Sequence, residues 1–239
     1  MNQYNKNNPL RCFFAFEGYN SQGLALERIK KYDPTFEWVC VGRSEIDKYA
    51  IIAANSLFPE STDKNYGDIS KIDWTKVPDF DLFTMSSPCQ DFSSAGLQKG
   101  GAEGSGTRSS LLWECRKAIL AKKPKYILFE NVKNLVSKKF LPYFQIWQRE
   151  LESYGYTNFT QVLDARHYGI PQHRERVYMI SILDENASYS FPEPIPLEKR
   201  LKDVLEEKVD EKYYLSNKLI NYVFSNGGVN KDIQGGGKC

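Results

Sequence analysis

Up to Leu183, short apolar runs alternate with segments of helical period. The runs "CFFAF" (12–16), "EWVCVG" (37–42), "DLFTM" (81–85), "YILFE" (126–130), "FTQVLD" (159–164) and "RVYMISI" (176–182) predict strands. Between them, "SQGLALERIKKY" (21–32), "IDKYAIIAANSLF" (46–58), "SSLLWECRKAILAKK" (109–123) and "LPYFQIWQRELESYGY" (141–156) predict helices. In the last of these, Leu141, Phe144, Trp147, Leu151 and Tyr154 recur at three- and four-residue intervals and define one buried face. Strands alternating with helices predict crossover connections and a doubly wound, mainly parallel α/β sheet with helices on both faces. Ligands of such sheets bind beyond the carboxyl ends of the strands.

The pattern changes after Leu183. Pro192, Pro194 and Pro196 open a segment that continues as a charged, amphipathic helix through "LEKRLKDVLEEKVDEKYYLSNKLINYVF", and "SNGGVNKDIQGGGKC" is polar and glycine-rich. We find no internal repeat and no second core pattern. The expected organisation is one domain over residues 1–183, with 184–239 as a linker and helical extension.

Composition narrows the classes. Apolar residues make up 41% and charged residues 26% of the 239, as in ordinary globular proteins. No apolar run is long enough to span a bilayer, and "MNQYNKNNPL" lacks the apolar core of a signal peptide, so a cytoplasmic protein is expected. The five cysteines are scattered without a C-x-x-C pair, which argues against a disulfide framework and structural zinc; no metal site is expected. A net charge of +2 gives no global basic field.

Candidate chemistry lies at the strand ends. "AFEGYNSQGLALE" is a strand, a turn with Gly18 and a helix opening at Ser21, the shape of a nucleotide-type site but a weak motif on its own. Glu45, after the second strand, suits ribose hydroxyls, or equally a helix N-terminal acid. Asp68 and Ile69 in "YGDISKI" suit an adenine amino group and ring face, or a plain turn. Cys89 follows the strand 81–85, with Pro88 restricting the backbone before it. A free cysteine is usually a small buried hydrophobe. The long glycine-rich stretch "DFSSAGLQKGGAEGSGTRSS" beside it points instead to a lid over covalent chemistry. Glu130 and Asn131 end the next strand, and Arg174 and Arg176 lead into the last. A thiol, a carboxylate and an arginine thus converge on one sheet edge.

These residues carry a resemblance. "SPCQDFSSAG", "FENV" and "GIPQHRERVY" resemble, in order, the nucleophile, Glu-Asn-Val and Gln-x-Arg-x-Arg motifs of the DNA (cytosine-5)-methyltransferases. "AFEGYNSQ", "SEIDKYA" and "YGDIS" occupy the places of that family's S-adenosylmethionine motifs, and the likeness runs from about Arg11 to Ile182. It implies a Rossmann-like methyltransferase fold, S-adenosylmethionine as cofactor, double-stranded DNA as substrate, and a restriction-modification or phage setting. It further implies Cys89 as nucleophile, Glu130 at the ring N3, and Arg176 at O2 with Arg174 assisting. Phe16, Gly18, Tyr19, Asn20, Glu45, Ile46, Asp68, Ile69 and Pro88 fall to the cofactor, and Gln90, Ser93 and Asn131 to the substrate.

The residue types match the chemistry. Cytosine C5 is a poor nucleophile, and thiolate attack at C6 drives electron density toward it. Charge building on the ring calls for a carboxyl group at N3, its pKa raised by burial, and for a fixed cation at O2. The base must leave the duplex stack to be reached.

Two features depart from the family pattern. The second glycine of Phe-x-Gly-x-Gly is Asn20, a residue that tolerates left-handed backbone, and Glu17 adds a negative charge beside the expected cofactor site. Nothing after Leu183 resembles the family's target-recognition domain or its C-terminal motif. The chain therefore reads as the catalytic subunit of a split enzyme whose partner brings recognition, as a truncated cofactor- or DNA-binding module, or as a minimal enzyme. Methylation of cytosine in tRNA is the related alternative, but no Cys-Phe-Thr stretch accompanies it.

Overall fold

The computed structural model describes residues 3–86 and 108–225. Six strands form one sheet in the order β2-β1-β3-β4-β6-β5. They are β1 (Leu10–Ala15), β2 (Trp38–Ser44), β3 (Leu82–Met85), β4 (Tyr126–Val132), β5 (Tyr156–Asp164) and β6 (Glu175–Leu183). The helices are α1 (Ser21–Tyr32), α2 (Lys48–Leu57), α3 (Cys115–Lys122), α4 (Leu141–Ser153) and α5 (Asn217–Ser225). Strands β2, β1, β3 and β4 pair in parallel, and β6 pairs antiparallel with β4.

Register divides the sheet into two faces. Phe13, Phe83, Ile127 and Ser181 form one rung, and Ala15, Met85, Phe129 and Met179 the next on the same side. That side packs against Ile119 of α3, Phe144, Trp147 and Leu151 of α4, and Trp74, Val77 and Phe80. The opposite side carries Cys12 and Phe14, which pack with Leu26 of α1, Phe36 and Cys40. Covering both faces is what a largely parallel sheet requires. The three buried cysteines described here, Cys12, Cys40 and Cys115, are free thiols. Burial pushes the Cys40 thiol up to about 11, so it behaves as a small hydrophobe.

The expected strands and the four helices expected before Leu183 are present, with two corrections to helix bounds. The helix expected to reach Tyr156 stops at Ser153, because Gly155 takes φ 91° and β5 begins at Tyr156. The segment expected as one helix over 109–123 is α-helical only over Cys115–Lys122, preceded by a 3₁₀ turn at Arg108–Glu114. No crossover helix joins β5 to β6. The connection of residues 165–174 is too short for one, since a parallel crossover needs about a dozen residues.

The chain divides into two units: residues 1–163 with 175–193, and residues 164–174 with 194–239. In the second, Ile195 N–H donates to the His167 carbonyl at 2.8 Å, and Asp164 accepts from the Arg166 side chain. The long amphipathic helix expected after Pro196 is absent. Two 3₁₀ turns (Leu201–Val204 and Glu211–Tyr213) and the short α5 stand there instead. Leu201, Leu205 and Tyr213 are exposed. An amphipathic pattern without a surface to bury against lacks the packing that stabilises most protein helices. Among the described residues no helix is long and apolar enough to cross a membrane.

Candidate active site

Because β6 runs against β4, its first residues reach the edge where the parallel strands end. In that register Arg176 lies opposite Val132 and Tyr178 opposite Glu130. Glu130 and Arg176 are therefore diagonal neighbours on one face of the sheet. Their side chains form an ion pair, with Arg176 Nε 3.0 Å from Glu130 Oε1, and each is 23% exposed. Arg176 Nη1 also donates to the Glu175 carbonyl at 2.8 Å, which orients the guanidinium. Asn131 alternates to the other face, where it is buried and its Oδ1 accepts the Val132 N–H.

At the same edge the ends of β1, β2 and β3 surround a cavity of about 270 Å³. Its lining includes Phe16, Gly18, Glu45, Ile46, Asp68 and Ile69, all expected from sequence. It also includes Ser44, Gly67, Ser86 and Leu111, which sequence reasoning missed. Ser44 and Ser86 were findable in principle, as residues at or just past a strand's carboxyl end. Their hydroxyls brace the walls: Ser44 Oγ donates to the Gly67 carbonyl at 2.6 Å and Ser86 Oγ to the Phe16 carbonyl at 3.1 Å.

The first wall is a left-handed turn. Phe16 (φ 55°), Gly18 (φ 59°) and Asn20 (φ 63°) all have positive φ. For Phe16 such backbone costs about 1–2 kcal/mol. Asn20, standing where the family has glycine, adopts the left-handed geometry and caps α1, its Oδ1 accepting the Gly23 N–H at 2.8 Å. Asn20 is therefore buried in the cap, Tyr19 is exposed, and neither lines this cavity.

Glu45 joins the first two walls. Its Oε2 accepts the Gly18 N–H at 2.9 Å, and its Oε1 accepts the N–H groups of Ile46 and Asp47, each at 2.8 Å. The cap of α2 itself is Asp47. Asn65, also missed from sequence, clips the third wall to the second. Its Oδ1 accepts from Glu45 N–H and Gly67 N–H, and its Nδ2 donates to the Glu45 carbonyl. Asp68 accepts from the Ser70 hydroxyl and N–H, which hold its carboxyl below the usual range.

These residues fit a nucleoside-bearing cation. Glu45 Oε2, which accepts only the Gly18 N–H, keeps acceptor capacity for a hydroxyl; Asp68 Oδ2, 3.6 Å from Lys71 Nζ at the surface, can accept from an amino group; and Ile46 presents an exposed apolar side chain for a ring face. Two carboxylates suit a positively charged ligand.

Glu17 does not line this cavity. It is buried and paired with Arg43, Oε1 to Nη1 at 2.8 Å, so its charge is met inside the protein. Arg174 belongs to the second unit, where its side chain is exposed and its N–H donates to Asp164 at 3.4 Å. Pro88, Cys89, Gln90 and Ser93 lie outside the described residues.

The fold is a Rossmann-like methyltransferase fold. It matches the crystal structure of S. pombe Dnmt2 methyltransferase with TM-score 0.68 at 23% identity, over 91% of this chain and 67% of that one. It matches Entamoeba histolytica methyltransferase EhMeth with TM-score 0.71 at 20% identity, over 91% and 66%. The chain belongs to the C-5 cytosine-specific DNA methylases, whose family model matches residues 13–236, well past the last motif legible at Ile182. It is 55% identical over 158 residues to Type II methyltransferase M2.ScrFI of Lactococcus lactis subsp. cremoris, covering 66% of this chain and 44% of the relative. Type II methyltransferase M.NlaX of Neisseria lactamica is 41% identical over 180 residues (75% and 56%). Orphan methyltransferase M.Rho11sI of Bacillus phage rho11s is 32% identical over 248 residues (90% and 48%). The chain spans about half the length of the curated relatives it matches.

Proposed function

We propose that this chain is the cofactor-binding and catalytic part of a DNA (cytosine-5)-methyltransferase of a restriction-modification or phage system. The observation that carries the reading is the Glu130–Arg176 pair at the sheet edge that also holds the cavity. Bound S-adenosylmethionine supplies the methyl group; Phe16, Gly18, Glu45, Ile46, Asp68 and Ile69 hold it. Residues 1–183 form the catalytic domain in this reading.

The chain's own groups act on the base. The Cys89 sulfur bonds to C6 of an extruded cytosine, and the ring electrons move toward C5 and N3. Glu130 holds a proton at N3, and Arg176 donates to O2, so that charge on the ring is met on two sides. Arg176 also orients Glu130, and entry of the base between them exchanges one partner for another. Once C5 carries the new methyl group, its remaining proton passes to water, the C5–H electron pair re-forms the C5–C6 double bond, and the Cys89 sulfur leaves as thiolate.

The relatives' remaining length is where we assign target recognition, carried by the same polypeptide or by a second subunit. That remainder also supports a second reading, a non-catalytic cofactor- or DNA-binding module. Incubation of the full chain with methyl-labelled S-adenosylmethionine and duplex DNA, with and without a polypeptide covering the remainder, separates them. Label at cytosine C5 is expected. Cofactor binding without transfer under both conditions contradicts the enzymatic reading.

A further inference from the structure

We infer that Glu17 and Arg43 are a positioning pair that holds the first wall of the cavity in its left-handed shape. The inference rests on reading that cavity as the cofactor site. Glu17 sits between the left-handed Phe16 and Gly18, and its carbonyl accepts the Asn20 N–H at 2.9 Å. Its carboxylate reaches under the turn to Arg43 on β2, both side chains being fully buried. Arg43 in turn ties down the neighbouring elements. Its Nε donates to the Ser61 carbonyl at 3.1 Å, and its Nη2 to the Thr62 carbonyl at 3.3 Å and to Asn55 of α2. The next residue, Ser44, lines the cavity.

A stability role explains this arrangement poorly. A buried ion pair usually stabilises no more than an apolar pair of similar volume, and often less. Here Glu17 Oε2 is buried without a hydrogen-bond partner among the described residues, a further cost. What the pair supplies is direction. It draws the peptide between Phe16 and Gly18 inward, while Glu45 takes the Gly18 N–H from the other side. The turn is held between two carboxylates, one buried under it and one at the cavity wall.

The test compares the full chain with the apolar double variant Glu17→Leu/Arg43→Met and with Glu17→Gln. Thermal unfolding, amide hydrogen exchange and calorimetric binding of S-adenosylmethionine are the readouts. The double variant is expected to unfold at or above the original temperature. Its Gly18 and Asn20 amides should nevertheless exchange about tenfold faster and its affinity fall about tenfold, while amides of β3 and β4 stay unchanged. Unchanged loop exchange and affinity in a folded double variant overturn the inference. If the double variant does not fold, Glu17→Gln decides: faster exchange confined to residues 16–20 supports the pair's role, and a uniform rise across the sheet overturns it. Should the original chain bind no S-adenosylmethionine, the cofactor reading fails, and the exchange measurements judge the pair alone.

Discussion

Glu130 on β4 and Arg176 on β6 meet diagonally across an antiparallel strand pair, with Arg176 Nε 3.0 Å from Glu130 Oε1. Residues 46 positions apart are set together by register, and each keeps part of its surface open to a ligand. Replacing either is expected to remove function far more than stability. Glu130→Gln and Arg176→Ala should lower methyl transfer by about 10²-fold or more. Each should shift unfolding by only about 1 kcal/mol, since the pair is partly solvated. Arg176→Lys should not rescue, because an ammonium cannot reproduce the guanidinium fork. Steady-state transfer rates beside denaturant titrations check all three.

Asn20 replaces a glycine without losing the turn, since it both adopts the left-handed conformation and caps α1. Asn20→Ala loses the cap and strains the backbone, and should destabilise by about 2 kcal/mol. Asn20→Gly keeps the conformation and should cost only a few tenths of a kcal/mol. Equal losses in urea denaturation contradict this account.

Gly42 lies beside the irregularity in the β1–β2 register, directly under the Phe13 ring. A Cβ there would stand 2.6 Å from two Phe13 carbons, and that ring is fully buried. Gly42→Ala should therefore destabilise by about 1–3 kcal/mol through overpacking. An unchanged melting temperature would mean that the ring has room to shift.

The buried Glu17 gives stability a definite pH dependence. Burial, only partly offset by Arg43, lifts its carboxyl from the ordinary 4.5 to about 7. With the folded value above the unfolded one, the folded state holds the proton more tightly. Glu17's contribution is thus complete below pH 4.5 and is lost as pH climbs through 7. Relative to Glu17→Gln, the original chain should lose unfolding free energy between pH 4.5 and about 7. A difference that grows with pH in this window means that Arg43 outweighs burial.

Much of this molecule is legible in its sequence. The strand runs and the Phe144, Trp147 and Leu151 face of α4 follow from apolar periodicity, because one side of each element is buried. Six of the expected cofactor residues surround one cavity because each follows the carboxyl end of a strand or the turn at Gly67. The Glu17–Arg43 pair is not legible, since its members lie 26 positions apart and arginine at a strand end reads as solvated. Asn65 escapes for the same reason: its role is a set of side-chain contacts to Glu45 and Gly67, and no periodicity encodes them. The tail misleads in the opposite sense, for its amphipathic pattern states what could be buried while Leu201, Leu205 and Tyr213 remain exposed.

The most direct test of the proposed chemistry uses duplex DNA with fluorine in place of hydrogen at cytosine C5. After methyl transfer no proton remains at C5 to be removed, so the sulfur cannot leave. With S-adenosylmethionine and a polypeptide covering the relatives' remaining length, the chain should form a denaturation-resistant adduct with the DNA, mapped to Cys89 by peptide mass and absent in Cys89→Ala. No adduct under those conditions, or an adduct that persists in Cys89→Ala, contradicts the account.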